Sequence, residues 1–235
     1  MNEADFLKRN SEAVGKLKGI RGHDLLILYW PDGPGSMVGA DTKTLYSELR
    51  RVGWNRNSRV RSLDVLIHTY GGNPEAAYRM GQAVRDVAEA VQILVPEHSY
   101  SAGTLFCFCG DEIRLGDMAG LSPIDVRLVE ANEPDGDGID LLDVDYFREF
   151  AIDCRDKMQE RLKEHGADAK TDVESQLLVT MVNQAGALNV GHFFRERDVT
   201  SEYARVLLND YMLKERHDRK TVSSRIIEGL SLIHI

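Results

Sequence analysis

Short apolar runs alternate with amphipathic stretches over the first half of the chain. Three of these runs predict buried strands, at about Asp24 to Trp30, Leu63 to Thr69 and Val91 to Val95. Their nearly continuous apolar character is typical of strands that are covered on both faces of a parallel sheet. A further segment, Glu112 to Leu115, follows the apolar run after Ser101 and predicts one more strand.

Amphipathic stretches separate these strands and predict helices. One helix is expected from about Asp41 to Val52. Asn73 followed by Pro74 is typical of an N-cap and first helical position, and the next helix is expected over PEAAYRMGQAVRDVAEA. The alternation of strand and helix predicts an α/β fold with right-handed crossovers in a mostly parallel sheet. The apolar stripe of the second helix, at three- and four-residue spacing, comprises Ala77, Met80, Ala83, Val84 and Val87.

The second half of the chain has mainly helical patterns. Helices are expected from roughly Asp143 to His165, Asp172 to Gln184 and Ser201 to Lys214. The acidic, glycine-containing stretch from Glu130 to Asp145 predicts an exposed loop. It lacks the ligand order of an EF-hand and its final glutamate, so we do not expect a calcium site there.

We expect one large domain. A polar helical lead-in over 1–20 precedes this domain, which extends over 21–215, and a tail follows over 216–235. Within the domain, the core with the sheet is expected at 24–128, and a helical C-terminal arm is expected at 143–214. The last six residues, LSLIHI, are what a common sequencing-adapter end encodes when translated. We therefore expect 230–235 to be an artefact and the natural chain to continue past about Gly229.

Composition restricts the classes of partner. With 38 acidic against 29 basic residues, the formal charge is -9, which argues against nucleic-acid binding because phosphate contacts need a basic excess. No run approaches the roughly 20 apolar residues that span a bilayer, and the first residues are too polar for a secretory signal. A cytoplasmic location is expected.

The three cysteines are Cys107, Cys109 and Cys154. Their spacing matches no usual zinc motif, and their odd number leaves one unpaired in any disulfide scheme. Cys107 and Cys109 lie in the apolar run LFCFC, where cysteine acts as a small apolar residue. We expect reduced thiols without a metal, and no cofactor elsewhere.

Two loops carry the candidate chemistry. One contains Gly71 and Gly72, the other contains Ser101 followed by Ala102, and both follow predicted strands, so they should meet at the carboxyl edge of the sheet. A glycine pair lets backbone N–H groups face a ligand, and a serine at a strand-to-helix turn exposes its hydroxyl beside the next N–H. Together they predict a nucleophile with an oxyanion hole formed by Ala102 and by Gly71 or Gly72. Taken alone, each loop is a weak signal and is more typical of a tight turn or an N-cap.

The ordered segments LDVLIHTYGGNPEAAYRMGQAV and VQILVPEHSYSAGTLFCFCGDEIRLGDMAGLSPIDVRL resemble the serine dehydrogenase proteinase family. That family is distantly related to the proteolytic subunit of Clp protease and to signal peptide peptidase A. The strong similarity covers about Leu63 to Leu128. The resemblance implies a crotonase-like, Clp-type fold, with Ser101 as nucleophile and with Gly72 and Ala102 as oxyanion donors. Ser99 is expected to support the turn.

The general base is where the chain departs from the family pattern. In Clp-type proteases a histidine occupies the loop after the strand that follows the nucleophile helix, where this chain has Asp125. When the later VTSEYA segment is aligned with its Clp counterpart, His192 falls roughly where the Clp aspartate lies. Either these two form a pair in exchanged order, or Lys157 reaches the site as lysine does in signal peptide peptidase A, or the site does not hydrolyse. His98 is a fourth candidate, although its position at a strand end favours a role in the turn.

The leading hypothesis is a serine peptidase that cleaves peptides or proteins without a metal. The chain has no P-loop motif, so any unfolding of substrates would need a separate ATPase or a membrane partner. A crotonase-type acyl-CoA enzyme would use the same pair of N–H donors, and a non-catalytic assembly module would keep only the fold. The resemblance implies a homo-oligomeric ring, and apolar segments at Leu177 to Met181 and Val206 to Leu208 are the sequence evidence for self-association.

Overall fold

The computed structural model describes residues 3–31, 36–124 and 187–231, together with residues 156 and 160. The chain divides into two units, one formed by Met1–Ile124 with Glu202–Ile233 and the other by Asp125–Ser201. Both sheets and the loops that follow β2 and β3 belong to the first unit. In chain order the elements are α1 (Glu3–Arg21), β1 (Asp24–Tyr29), α2 (Gly39–Arg51), β2 (Val60–His68), α3 (Pro74–Val87), β3 (Ala88–Val95), β4 (His98–Ser99), α4 (Ala102–Cys107), β5 (Glu112–Leu115), β6 (Gly120–Leu121), α5 (Ala187–Leu207), a π-helical turn (Leu208–Met212) and α6 (Arg219–Ser231).

The main sheet has four parallel strands in the order β1-β2-β3-β5, and β4 and β6 form a second, two-stranded parallel sheet. The predicted α/β fold with a mostly parallel sheet and flanking helices is confirmed. Because the strands are parallel, β2 and β3 both end at one edge. The loops that follow these two strands contain Gly71 and Ser101.

Helix α3 begins as the sequence predicts. The side chain of Asn73 accepts a hydrogen bond from the N–H of Ala76 at 2.9 Å, and Pro74 occupies the first turn. Of the predicted stripe, four residues are buried and Ala83 is half-buried. The buried face covers the sheet and forms the centre of the core.

The end of α3 differs from the prediction. The helix stops at Val87, and β3 begins at Ala88 instead of Val91. The guanidinium of Arg59 donates to the carbonyl oxygens of Arg85 and Ala88, which satisfies acceptors that a helix end leaves open. Ala88 also pairs with Val60, so strand pairing begins where helical hydrogen bonding ends.

The expectation that Val206 to Leu208 forms an uncovered apolar face is wrong. Leu207 and Leu208 are fully buried in the core of their own chain, where Leu207 lies beside Gly81 of α3. Tyr203 of α5 stacks on Tyr78 of α3, with ring centroids 4.3 Å apart. This segment therefore gives no evidence for self-association.

Several sequence predictions fall outside the described residues and stay predictions. They concern Cys154, the acidic stretch 130–145, the helices expected over 143–165 and 172–184, and the apolar segment 177–181. Within the described part of the chain, no helix combines the length and the apolar composition that crossing a bilayer requires.

Candidate functional site

The two loops predicted to carry chemistry meet at the carboxyl edge of the sheet. The N–H of Thr69 donates to the carbonyl oxygen of His98 at 3.2 Å, and the N–H of Tyr100 donates to the carbonyl oxygen of Thr69 at 3.1 Å. Beyond this ladder, a Cβ atom placed on Gly71 would lie 2.9 Å from the Cβ of Ser101. The predicted contact between the loops is confirmed.

Ser101 occupies a strained backbone conformation between β4 and α4. Its φ of 49° and ψ of -115° make it the one non-glycine residue with positive φ in the described part of the chain. Such a conformation costs about 1–3 kcal/mol and persists only where its surroundings enforce it. The N–H of Ser101 donates to Ser122 Oγ at 2.7 Å, and its carbonyl oxygen accepts from the N–H of Leu105 at 3.2 Å. The partly exposed serine thus has the sharp strand-to-helix turn that presents nucleophilic hydroxyls.

Backbone N–H groups beside Ser101 differ in what they bind. The N–H of Gly71 donates to Thr69 Oγ1 at 3.0 Å, so it is already engaged. The N–H groups of Gly72 and Ala102 make no hydrogen bond with any described residue. Of the two glycines that the sequence left as alternatives, Gly72 has the open donor.

The conformation of Gly72 is fixed by Met37. The N–H of Met37 donates to the carbonyl oxygen of Gly71 at 2.8 Å, and the N–H of Asn73 donates to the carbonyl oxygen of Met37 at 2.9 Å. Gly72 has a φ of 137°, and a Cβ atom there would lie 2.4 Å from the Met37 carbonyl oxygen. Only glycine fits this position without moving the backbone.

Behind the serine, small residues let α4 approach the sheet. A Cβ atom on Gly103 would come within 2.5 Å of both Ser99 Oγ and Thr69 Cγ2. Ser99 is fully buried, and its carbonyl oxygen accepts from the hydroxyl of Thr104 at 2.9 Å. This geometry agrees with the expectation that Ser99 supports the turn.

Of the candidate bases, His98 is the one whose side chain the structure describes. Its ring centroid lies 4.2 Å from those of both His68 and Tyr70, and its ring stacks on Tyr100 at 5.0 Å. His98 is therefore part of an aromatic cluster. Asp125 and Lys157 lie outside the described residues, and His192 lies on α5 in a part whose side chains are not described.

Sequence reasoning missed two features of this edge. Ser122 holds the N–H of Ser101, and the Ser-Pro-Ile-Asp segment that follows β6 was the signal that could have drawn attention to it. His68 and Glu97 join His98 in a cluster of potential metal ligands. These three residues come from two separate segments, and only the parallel pairing of the strands brings them together.

The described cysteines are buried free thiols, as the sequence predicts for Cys107 and Cys109. Burial raises the pKa of Cys107 to about 12 and raises the pKa of Cys109 further. Neither thiol ionises at neutral pH, so neither is a nucleophile for acyl transfer.

One protein-family model matches part of the chain. Residues 48–143 match the family model described as ClpP-like SDH-type serine proteinase, which confirms the resemblance drawn from the motifs. The matched segment includes both site loops. An uncharacterized protein of Methanocaldococcus jannaschii is 31% identical over 74 residues, which are 32% of this chain and 26% of that protein. The match thus spans about a quarter of the length of this curated relative.

Solved structures give weaker likenesses. A ClpP1 mutant from Listeria monocytogenes aligns with a TM-score of 0.34 and 14% identity, over 76% of this chain and 92% of that one. ThnE from S. clavuligerus aligns with a TM-score of 0.28 and 14% identity, over 89% of this chain and 94% of that one. Because both scores are low, the description of the fold rests on the strand order and the flanking helices.

Proposed function

We propose that this chain, whose residues 48–143 carry the sequence pattern of the ClpP-like SDH-type serine proteinases, is a serine peptidase with Ser101 as its nucleophile. One observation carries the proposal. Ser101 is held at positive φ in a strand-to-helix turn, beside two N–H groups that make no hydrogen bond with any described residue. A serine with no chemical role has no need of a conformation that costs about 1–3 kcal/mol.

The proposed reaction is acyl transfer to Ser101 followed by hydrolysis. The Oγ atom attacks the carbonyl carbon of a peptide bond, while a general base takes the hydroxyl proton. The N–H groups of Gly72 and Ala102 donate to the oxygen that becomes negatively charged. The C–N bond then breaks, and the base passes the proton to the leaving amine. Water attacks the resulting ester, which releases the acid and restores the hydroxyl of Ser101.

The base is proposed to be His192 acting with Asp125, in an order exchanged relative to Clp-type proteases. A carboxylate alone titrates near pH 4 and is a poor proton acceptor from a hydroxyl at neutral pH, whereas a histidine titrates near 6.5. Lys157 is the alternative. The packing of His98 against Tyr100 and His68 supports a structural role for that residue instead.

The two other functions account less well for the strained serine. A crotonase-type acyl-CoA enzyme needs the paired N–H donors for a thioester carbonyl, but it needs no hydroxyl at the turn. A non-catalytic assembly module needs neither group. Both alternatives leave the conformation of Ser101 without a purpose.

The substrate is proposed to be a peptide or an unfolded protein, and the working form a homo-oligomer of this chain. The sequence match to the ClpP-like family model supports both the choice of substrate and the oligomeric form. The sequence contains no P-loop, so a separate ATPase would have to unfold a stable substrate.

Hydrolysis of a mixture of fluorogenic peptides by purified wild type and Ser101→Ala tests the proposal. Wild type should cleave at least one peptide, and Ser101→Ala should lose more than about a thousandfold in rate. Ser99→Ala is the matched control, since it removes a buried hydroxyl two residues away and should keep the activity. Equal cleavage by wild type and Ser101→Ala would refute the assignment.

A further inference from the structure

Three potential metal ligands converge beside the site, at the carboxyl edge of the sheet. His68 is the last residue of β2, and Glu97 and His98 follow β3. One ligand atom from each of the three lies within 4.8 Å of the others. His68 Nδ1 and Glu97 Oε2 are 3.6 Å apart. In the part of the chain that the structure describes, this is the one group of three such side chains.

A second observation concerns the imidazole of His98. Its Nε2 atom is buried, and it makes no hydrogen bond with any described residue. Leaving a buried polar atom without a partner costs about 1–3 kcal/mol, so native proteins almost always supply one. Coordination by the nitrogen lone pair would satisfy this atom in a place that the protein's own groups leave open.

We propose that His68, Glu97 and His98 bind a divalent transition metal ion of the zinc type. Two imidazoles and one carboxylate suit such ions, whereas calcium and magnesium prefer all-oxygen sites. Three protein ligands leave the fourth tetrahedral position for water.

The required rearrangement is small. Ligand atoms around tetrahedral zinc are roughly 3.3 Å apart, because each bond is about 2.0–2.2 Å long. Drawing the three atoms together from 4.8 Å or less moves each of them by about an ångström. The side chain of Glu97 is 71% exposed, so it has room to turn toward the two imidazoles.

The metal would join the two site loops. The backbone hydrogen bonds between Thr69 and His98 and between Tyr100 and Thr69 already link these loops at the same level. One loop continues to Gly72 and the other to Ser101. An ion held by His68 at the end of β2 and by Glu97 and His98 after β3 would therefore stabilise the juxtaposition of nucleophile and oxyanion donors. This proposal differs from the sequence expectation that the chain binds no metal.

Metal binding can be measured without any activity, so this proposal stands or fails independently of the role of Ser101. The metal-free protein is titrated with Zn²⁺ by calorimetry and with Co²⁺ by visible absorption. Wild type should bind one equivalent per chain. Bound Co²⁺ should show d–d bands without a thiolate-to-metal charge-transfer band, because the described thiols are not ligands. Zinc should also raise the melting temperature.

Three variants locate the site. Glu97→Gln changes an exposed side chain and should weaken zinc binding by at least about tenfold without affecting folding. His98→Gln should remove the tight site. His217→Gln, an exposed histidine outside the cluster, is the matched control and should bind like wild type. Absence of a tight zinc site in wild type would overturn the proposal. The proposal would also be overturned if the single variants Glu97→Gln and His98→Gln both bound zinc with wild-type affinity. This outcome would count even if His98→Gln were less stable than wild type.

Discussion

The backbone of Gly71 lies against Ser101 so closely that a Cβ atom added to the glycine would sit 2.9 Å from the Cβ of the serine. The same added atom would lie 2.9 Å from the carbonyl oxygen of Tyr100. Gly71 also has a φ of 112°, which L-residues rarely adopt. The glycine loop and the serine turn therefore form one interlocked unit, and a change on one side should be felt on the other.

Gly71→Ala should destabilise the fold by about 2–4 kcal/mol and abolish covalent labelling of Ser101, because backbone strain and a steric clash add together. Urea unfolding and fluorophosphonate labelling measure the two effects. Gly53→Ala is the matched control. Gly53 also has positive φ, at 85°, but no atom lies within 4 Å of its added Cβ. Gly53→Ala should lower the free energy of unfolding by about 1–2 kcal/mol and leave labelling of Ser101 intact. Equal losses for both variants would show that the contact with Ser101 is unimportant.

Ser122→Ala should slow labelling of Ser101 on the order of tenfold, because the serine hydroxyl no longer holds the strained N–H in place. Stability should fall by about 1–2 kcal/mol. The control is Ser223→Ala, which removes a buried hydroxyl that donates to the Lys220 carbonyl oxygen. A similar stability loss with unchanged labelling is expected there. If Ser122→Ala labels at the wild-type rate, Ser122 does not position the nucleophile.

The sequence predicted those parts of the site that depend on local chemistry. Apolar runs located the strands, Asn73 and Pro74 marked the start of α3, and small residues after Ser101 marked the turn. The residues alone did not distinguish Gly71 from Gly72, although the family resemblance implied Gly72, because the difference depends on which N–H donates to the hydroxyl oxygen of Thr69. The cluster of His68 with Glu97 was equally hidden, since it arises from strand pairing between segments far apart in the chain.

The general base can be identified from the pH dependence of labelling. If His192 is the base, the labelling rate of wild type should rise through roughly pH 6 to 7, and His192→Ala should lose the fast reaction. Asp125→Asn should slow labelling as well, because the carboxylate orients the imidazole and stabilises its charged form. A rise well above pH 8 that disappears in Lys157→Ala would assign the base to the lysine instead.

Asp111 makes stability depend on pH in the acidic range. Burial by itself would raise the pKa of this carboxyl group, but hydrogen bonds from Arg85, the N–H of Val91 and Lys214 lower the pKa below its ordinary value. A lowered pKa in the folded state stabilises the protein above the ordinary carboxyl pKa, near 4, and the contribution is lost as the pH falls through the lower folded value.

Asp111→Asn should therefore reduce stability at pH 7 by about 3 kcal/mol, since Arg85 is left 7% exposed without its ionic partner. The loss should shrink as the pH approaches 3. Urea unfolding at a series of pH values measures it. Glu48→Gln, which breaks the exposed pair with Arg51, should change stability far less. A pH-independent loss for Asp111→Asn would contradict the electrostatic explanation.

The most direct measurement is the location of a fluorophosphonate adduct in the intact wild-type protein, found by mass spectrometry of the whole chain and then of its peptides. The proposal predicts one adduct per chain, on Ser101, with none on Ser101→Ala and an unchanged adduct on Ser99→Ala. An adduct on another serine, or equal labelling of wild type and Ser101→Ala, would show that Ser101 is not the nucleophile.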